Sequence, residues 1–315
     1  MKISVVIPAY NSEQTIGRAI DSVLGQTRPA EEIIVVDDGS TDRTAERVRA
    51  YGDKVRLIQQ PNAGVSVARN AAIAAATGDW IAFLDADDEW LPKKLRLQTQ
   101  QLNRFEDLKW AFTNFYRKTG VSQEPIITHA PAQFASLLKN DAWFEDYLKA
   151  EANGANTWTT TILVRKSVFD TVGLFVPGMK RAQDVDVWYR IAYQYPQVGY
   201  LAEPLAVYHM DTLASSTKVN DQVNDLIGFL DRHVRLAQQH DRYASFFPCM
   251  VLKVQDRIRQ YLRQKRYADI RILLHEYEQH LDKRFLNEVR FRLVCPSLCS
   301  PLAETVHWAK RRLRR

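Results

Sequence analysis

The chain has 315 residues, 46% of them apolar and 25% charged, with a formal net charge of +6. Those proportions are those of a soluble globular protein and exclude a disordered, low-complexity or collagen-like chain. The longest charge-free run, residues 125–138, is broken by Pro125 and Pro131 and is too short to cross a membrane.

The opening MKISVVIPAY pairs Lys2 with an apolar run, but Pro8 and Asn11 stop it short of a signal-peptide core. Ile3–Ile7 instead reads as a strand buried on both faces. Asn11-Ser12-Glu13 offers a helix cap. Ile16, Ala19, Ile20, Val23 and Leu24 then recur along one helical face. A second strand, Ile33–Val36, runs into Asp37-Asp38-Gly39-Ser40, followed by a helix from Thr41 to Ala50 and a third strand, Val55–Ile58. Gly64 opens an Ala-rich helix through Ala76, and Trp80–Leu84 is a fourth strand ending in Asp85-Ala86-Asp87-Asp88. This alternation predicts a mostly parallel sheet flanked by helices. Ligands in such sheets lie beyond the carboxyl ends of the strands, where both acidic clusters fall.

Further along, Trp110–Tyr116 reads as a strand, 132–149 as helical and Thr157–Val164 as β-rich. Asp184 to Tyr195 reads as a helix, and Val198–His209 as two short strands around Pro204. From Asp221 the pattern is helical. A boundary near 215–222 gives a first domain of 1–217, with halves 1–100 and 101–217, and a basic helical region of 218–315. Residues 1–220 hold 24 Lys and Arg against 26 Asp and Glu, whereas 221–315 hold 19 against 11. The positive end suits an anionic partner. The three cysteines, Cys249, Cys295 and Cys299, form no disulfide framework and read as reduced, buried or incidental thiols.

No G-x-G-x-x-G follows the first strand, and no G-x-x-x-x-G-K-[ST] occurs. The chain offers carboxylates at strand ends instead. Carboxylates gathered at one point repel unless a cation sits among them, and Mg2+ or Mn2+ shared with a diphosphate fits that chemistry. Four segments appear in order: SVVIPAYN, IIVVDDGSTD, NAGVSVARNAAIAAATGDWIAFLDADD and AQDVDVWYRIA. Together they resemble the family-two glycosyltransferases, densely over 1–100, more thinly to about 210, and not over 221–315. The resemblance implies a GT-A type, Rossmann-like, mostly parallel α/β sheet flanked by helices, followed by a C-terminal helical region. It also implies transfer of a sugar from a nucleotide-diphosphate donor.

Carried over by position, the resemblance puts Pro8, Ala9, Tyr10 and Glu13 in the loop against the nucleotide. Tyr10 would stack on the base, its alternative being a buried aromatic. Asp38 would accept from a uracil imide, which thymine also presents; turn stabilisation suits Asp37 or Asp42 better. Arg69 and Asn70 would face the nucleotide, the guanidinium countering diphosphate charge. Asp85, Ala86 and Asp87 form the Asp-x-Asp motif, with Asp85 toward ribose or metal and Asp87 as metal ligand. Asp88 reads as a cap for a helix near Leu91-Pro92.

Asp184 matches the general base, its alternative being a helix N-cap. Gln183 stands where the family has an acid, and Trp188 shares the face of Asp184 on the acceptor side. His209 matches a metal ligand of some relatives, the alternative being structural. The Gln-x-x-Arg-Trp signature of processive synthases is absent, since the helix reads Trp188-Tyr189-Arg190. The implied reaction is inverting transfer of one sugar, or a few, to a glycan or lipid-linked acceptor of surface polysaccharide assembly.

Leu302, Val306, Ala309 and Leu313 make one helical stripe beside Lys310, Arg311, Arg312, Arg314 and Arg315, with Trp308 nearby. That pattern suits either an amphipathic helix on an anionic membrane or a packing helix with a basic tail. It implies a cytoplasmic protein, peripheral on the inner face of the membrane in the first case. A polyprenyl-phosphate glycosyltransferase and an inactive nucleotide-sugar-binding scaffold are the alternatives. Nucleic-acid binding has no recognisable module.

Overall fold

A computed structural model describes residues 1–120, 124–130, 132–210 and 222–294. The opening β-branched run forms strand β1 (Ile3–Ala9), buried along its whole length. After it come α1 (Ile16–Leu24), β2 (Glu32–Asp37), α2 (Thr44–Arg49), β3 (Arg56–Gln59), α3 (Val65–Ala75) and β4 (Trp80–Phe83). Then follow β5 (Glu89–Trp90), α4 (Lys94–Arg104), β6 (Trp110–Lys118), β7 (Ile126–Ile127), β8 (Leu138–Lys139), β9 (Trp143–Phe144) and α5 (Tyr147–Ala152). The last of this series are β10 (Leu163–Arg165), α6 (Val168–Val172), α7 (Gln183–Gln194) and β11 (Val198–His209). Four further helices are α8 (Val223–Gln239), α9 (Tyr243–Arg263), α10 (Tyr267–Tyr277) and α11 (Lys283–Val294).

Among the described residues the strands make one sheet in the order β3-β2-β1-β4-β10-β6-β11-β9-β8. β1 lies between β2 and β4 and is parallel to both. β10 is antiparallel to β4 on one side and β6 on the other, so those two run the same way, and β11 continues parallel to β6. The mixed sheet with its helices is the α/β architecture the alternation implies. In register, Ala9 stands beside Asp37 and Asp37 beside Gln59, so the carboxyl ends of β1, β2 and β3 share one edge.

The contacts divide the chain into two compact units, and a single cut at 217/218 does not describe them. The first comprises 1–220 with 233–246, the second 221–232 with 247–315. In the first, α1 buries Ile16, Ala19, Ile20 and Val23, while Leu24 is left exposed. In the second, Leu226, Phe229, Met250, Val254, Ile258, Ile270, Leu273, Phe285 and Val289 are buried, one face from each helix. Cys249 is buried there. Cys295, Cys299 and the basic stripe of 302–315 lie outside the described residues, as does the segment 212–217. Among the described residues no helix is long and apolar enough to cross a membrane.

Several local expectations fail for identifiable reasons. Residues 132–149 are not one helix. Asn140 and Asp141 both take positive φ, 52° and 54°, and turn the chain between β8 and β9. The amide of Ala142 closes that turn on the Lys139 carbonyl at 3.0 Å. Asn and Asp tolerate the left-handed conformation, and two such residues in succession favour a hairpin. Asn11-Ser12-Glu13 supplies no side-chain cap to α1, whose first amides reach the Ser12 carbonyl instead. Residues 159–161 form a 3-10 turn before β10. Residues 198–209 form one strand, which absorbs Pro204 as a register shift on each side.

His129 is buried, with its Nδ1 3.2 Å from the Tyr200 hydroxyl. Burial, with help from Arg117, pushes its pKa down to about 4. An unfolded histidine takes up its proton near pH 6.5, so the full contribution of the neutral native ring is present above that pH. It is lost as the pH falls toward 4, at a cost of up to about 3 kcal/mol. Denaturant titrations at pH 7 and 4.5 should show His129→Gln losing less stability over that interval than the wild type. Equal losses would mean that the ring is protonated in the fold.

Candidate active site

The edge shared by β1, β2 and β3 is bounded by loops that hold one another. Pro8 and Ala9 end β1 inside the core, while the Tyr10 ring is 46% exposed beyond them. Glu13 accepts from the Arg43 amide at 3.0 Å, and Asp42 accepts from the Glu13 amide at 3.0 Å. Asp37 accepts from Ser40 N and Gln59 Nε2, and Asp42 also accepts from Thr44 N, so both stabilise turns as expected.

Asp38 has a structural task as well. Its carboxylate accepts from Gln60 Nε2 at 2.6 Å, Ala63 N at 3.0 Å and Gly64 N at 2.8 Å. It therefore sits at the N-terminus of α3, where a negative charge is favoured. Gly39 has φ 74°, and a Cβ there would lie 2.7 Å from the Asn62 amide nitrogen, so the loop after Asp38 closes only around a glycine.

Arg69 and Asn70, adjacent on α3, do different things. Arg69 is buried, donates to Asp85 Oδ1 at 2.7 Å and lies 5.2 Å over the Phe175 ring. Its Nε and Nη1 are buried without a partner. Both ends of the Asn70 amide are used on the backbone of Phe175, at 2.8 and 3.0 Å. Asn70, expected against the nucleotide, thus fixes the 173–175 loop.

The second acidic cluster follows β4. Asp85 and Asp87 are half-buried and Ala86 is buried between them. Burial raises the pKa of Asp85; the Arg69 guanidinium opposes this, while Asp87 and Asp184 add to it. Asp88 is fully buried and does not cap α4. It accepts from Trp158 Nε1 at 2.7 Å, Thr160 Oγ1 at 2.6 Å and the His209 amide at 3.2 Å. Burial holds its carboxyl well above the usual range, and Asp85 and Asp87 push it further. One carboxylate thus ties the end of β4 to the 158–160 turn and the end of β11. His209 Nε2 meets Glu89 Oε1 at 3.1 Å, and that bond is the main reason the Glu89 pKa is lowered.

α7 carries the remaining expected residues. Ala182, at its N-cap, is left-handed with φ 56°, a costly conformation for a residue other than glycine. Gln183 and Asp184 are half-buried in the first turn, so Asp184 lies inside the helix and is not its N-cap. Asp184 Oδ2 accepts from Thr159 Oγ1 at 3.1 Å. Trp188, expected on the acceptor side, is 1% exposed; its ring packs edge-on against Phe83 and Phe175 in the core beneath the site. Asp186 points the other way and joins Arg190 at 2.8 Å to His233 at 3.2 Å, fixing the helix from behind.

Sequence reasoning missed Asp88 as a hub, together with Trp158, Thr159 and Thr160. The run Trp158-Thr-Thr-Thr is an unusual string of donors, but nothing local links it to an acid seventy residues earlier. The oxygen-only donors Asp85 and Asp87 suit a hard divalent cation, and they lie in a surplus of negative charge that Arg69 only partly offsets. Among the described residues no three His, Cys, Asp or Glu side chains form a metal cage by themselves.

Comparison with known proteins agrees with this geometry. The family model for glycosyl transferase family 2 matches residues 4–173, more than half of the chain. An uncharacterized glycosyltransferase of Rickettsia prowazekii, RP339, is 31% identical over 188 residues, covering 60% of this chain and 58% of its own length. The chain therefore spans little more than half of that relative. A putative teichuronic acid biosynthesis glycosyltransferase of Bacillus subtilis, TuaG, is 30% identical over 192 residues, covering 59% of this chain and 70% of its own. Residues 1–349 of S. aureus TarS, crystallised with UDP-GlcNAc, share the fold with a TM-score of 0.70 at 18% identity, covering 90% of this chain and 83% of that one. The chain belongs to glycosyl transferase family 2.

Removing the Asp88 carboxylate leaves three donors, from Trp158, Thr160 and His209, without their acceptor. Asp88→Ala should lower unfolding stability by about 2 kcal/mol, read from denaturant midpoints. Unchanged stability would mean that the carboxylate's repulsion by Asp85 and Asp87 cancels what its donors contribute.

Proposed function

We propose that this family-two chain transfers one sugar from a nucleoside-diphosphate sugar, with uridine as the base, to an acceptor hydroxyl, inverting the anomeric centre. One observation carries the reading: a buried Arg69 with two unpartnered N–H groups beside a cluster of carboxylates. Such a mixture of charges suits a diphosphate and a divalent cation bound together. Tyr10, exposed at the end of β1, is available to stack on the base. Pro8, Ala9 and Glu13 shape that loop. The TarS fragment with UDP-GlcNAc has the same fold, which supports the choice of uridine. Asp38 already takes three donors, so a base imide would be its fourth.

Asp85 and Asp87 would hold Mg2+ or Mn2+. His209 carries the carboxylate support usual for a ligating histidine, here Glu89, but it forms no cluster with Asp85 and Asp87 in this structure, so it would join the ion only after its ring moves. When bound, the ion stabilises the charge that develops on the departing diphosphate. Asp184 takes the acceptor's proton as that oxygen bonds to the anomeric carbon, and the bond from that carbon to the diphosphate breaks with its electrons leaving on phosphate. The Thr159 hydroxyl orients the Asp184 carboxylate, and Gln183 removes the acid that the family has just before it in sequence. TuaG's name supports a surface-polysaccharide acceptor, a glycan or a lipid-linked intermediate. The excess of positive charge in 221–315 supports work at the inner face of the membrane.

Asp184→Asn should lower kcat by roughly 10² to 10⁴ while UDP affinity is retained, and Asp87→Asn should remove the manganese dependence of UDP binding. Loss of UDP affinity in Asp184→Asn would make that residue part of the donor site. The full chain should sediment with anionic but not neutral liposomes, and truncation at 299 should weaken this; equal binding to both vesicle types would count against membrane attachment.

A further inference from the structure

Trp158 and Tyr208 stack with ring centroids 3.9 Å apart and planes inclined at 33°. Both rings are half-buried and pack against the core, and at this separation each covers one face of the other, so the surface left outside belongs to the outer face and edges of the stack. Neither is needed for the chemistry above, yet each adjoins it. Trp158 precedes Thr159, whose hydroxyl meets Asp184. Tyr208 precedes His209, whose amide meets Asp88.

The pair is also held rigidly. The Trp158 indole N–H is fixed on the buried Asp88 at 2.7 Å, and its carbonyl accepts from both Thr161 Oγ1 and Thr161 N, at 2.6 and 2.8 Å. A partly exposed aromatic pair would ordinarily gain more from full burial. Here a buried carboxylate anchors it at the rim of a group of acids.

The face of an aromatic ring is electron-rich. It attracts the polarised C–H groups on the apolar face of a pyranose, leaving the hydroxyls at the ring's edge for carboxylates. Anchoring beforehand removes the entropy cost of ordering the rings on binding. We propose that Trp158 and Tyr208 form a stacking platform for a pyranose ring, on the side of the site where Thr159 meets Asp184. This rests on the transferase reading. It assigns the sugar contact to two residues that none of the four motifs singles out for that role. The ring is that of the donor or that of the acceptor, and both present the same C–H face.

Binding to the full-length wild type, Trp158→Ala, Trp158→Phe and Tyr208→Leu distinguishes the two, with thermal melts confirming folding. UDP is titrated with Mn2+, then UDP-glucose and UDP-GlcNAc. Methyl β-D-glucopyranoside is followed by saturation-transfer NMR in the presence of UDP. The platform predicts UDP affinity within about twofold in every variant. In Trp158→Ala and Tyr208→Leu it predicts a loss of roughly tenfold in one sugar-dependent signal, and in Trp158→Phe, which keeps a ring but loses the anchoring N–H, a smaller loss. Loss in the UDP-sugar arm assigns the platform to the donor ring, and loss in the glycoside arm to the acceptor ring. No sugar-dependent gain in the wild type, or the same gain in both truncated variants while UDP still binds, overturns the platform alone. Failure of the wild type to bind UDP overturns the transferase reading and the platform with it.

Discussion

Carboxylates crowd the carboxyl edge of the sheet, and the rest of the site is arranged around their mutual repulsion. Asp85, Asp87 and Asp88 follow one strand within four residues, and burial makes each negative charge costly. The fold meets that cost in two ways. Arg69 is brought beneath Asp85, with Phe175 under its guanidinium. Asp88 is surrounded by donors from Trp158, Thr160 and the amide of His209. Asp85 and Asp87 stay half-buried at the rim, the pair that a diphosphate and its cation would complete.

The same bonds assemble the surroundings of Asp184. Asp88 links β4 to the 158–160 turn, which in turn holds Asp184 through Thr159. Asn70 fixes the backbone of Phe175, and the Phe175 ring packs on Trp188 inside α7. Asp186 locks the back of that helix to Arg190 and His233. The candidate base is therefore placed by contacts on both sides of its helix, and the left-handed Ala182 immediately before the helix is tolerated because those contacts determine where it starts.

Much of this was legible in the chain. Buried parallel strands read as unbroken β-branched runs, so β1, β2 and β4 are legible nearly to the residue, and acids stand at the tips of β2 and β4 as read. The motif order identified the family. What failed was whatever depends on distant partners. Trp188 lies on the same helical face as Asp184, but Phe83 and Phe175, which enclose it, come from remote segments. Asp88 looked like a cap because its donors lie seventy to a hundred and twenty residues away. The hairpin at Asn140-Asp141 was local and readable; the apolar residues around it suggested a helix, and turn chemistry prevailed over that pattern. Residues 221–294 announced helices but no site, and nothing in their pattern showed that 233–246 belong to the first unit, where Phe246 packs on Tyr189 and Tyr193.

The most direct test of the account is a calorimetric titration of the wild-type chain with UDP, dTDP and GDP, each in manganese and in EDTA. A diphosphate seated between Arg69 and the strand-end carboxylates predicts UDP binding that manganese strengthens and EDTA weakens, with GDP binding far less well. Binding of no diphosphate in either condition would contradict it.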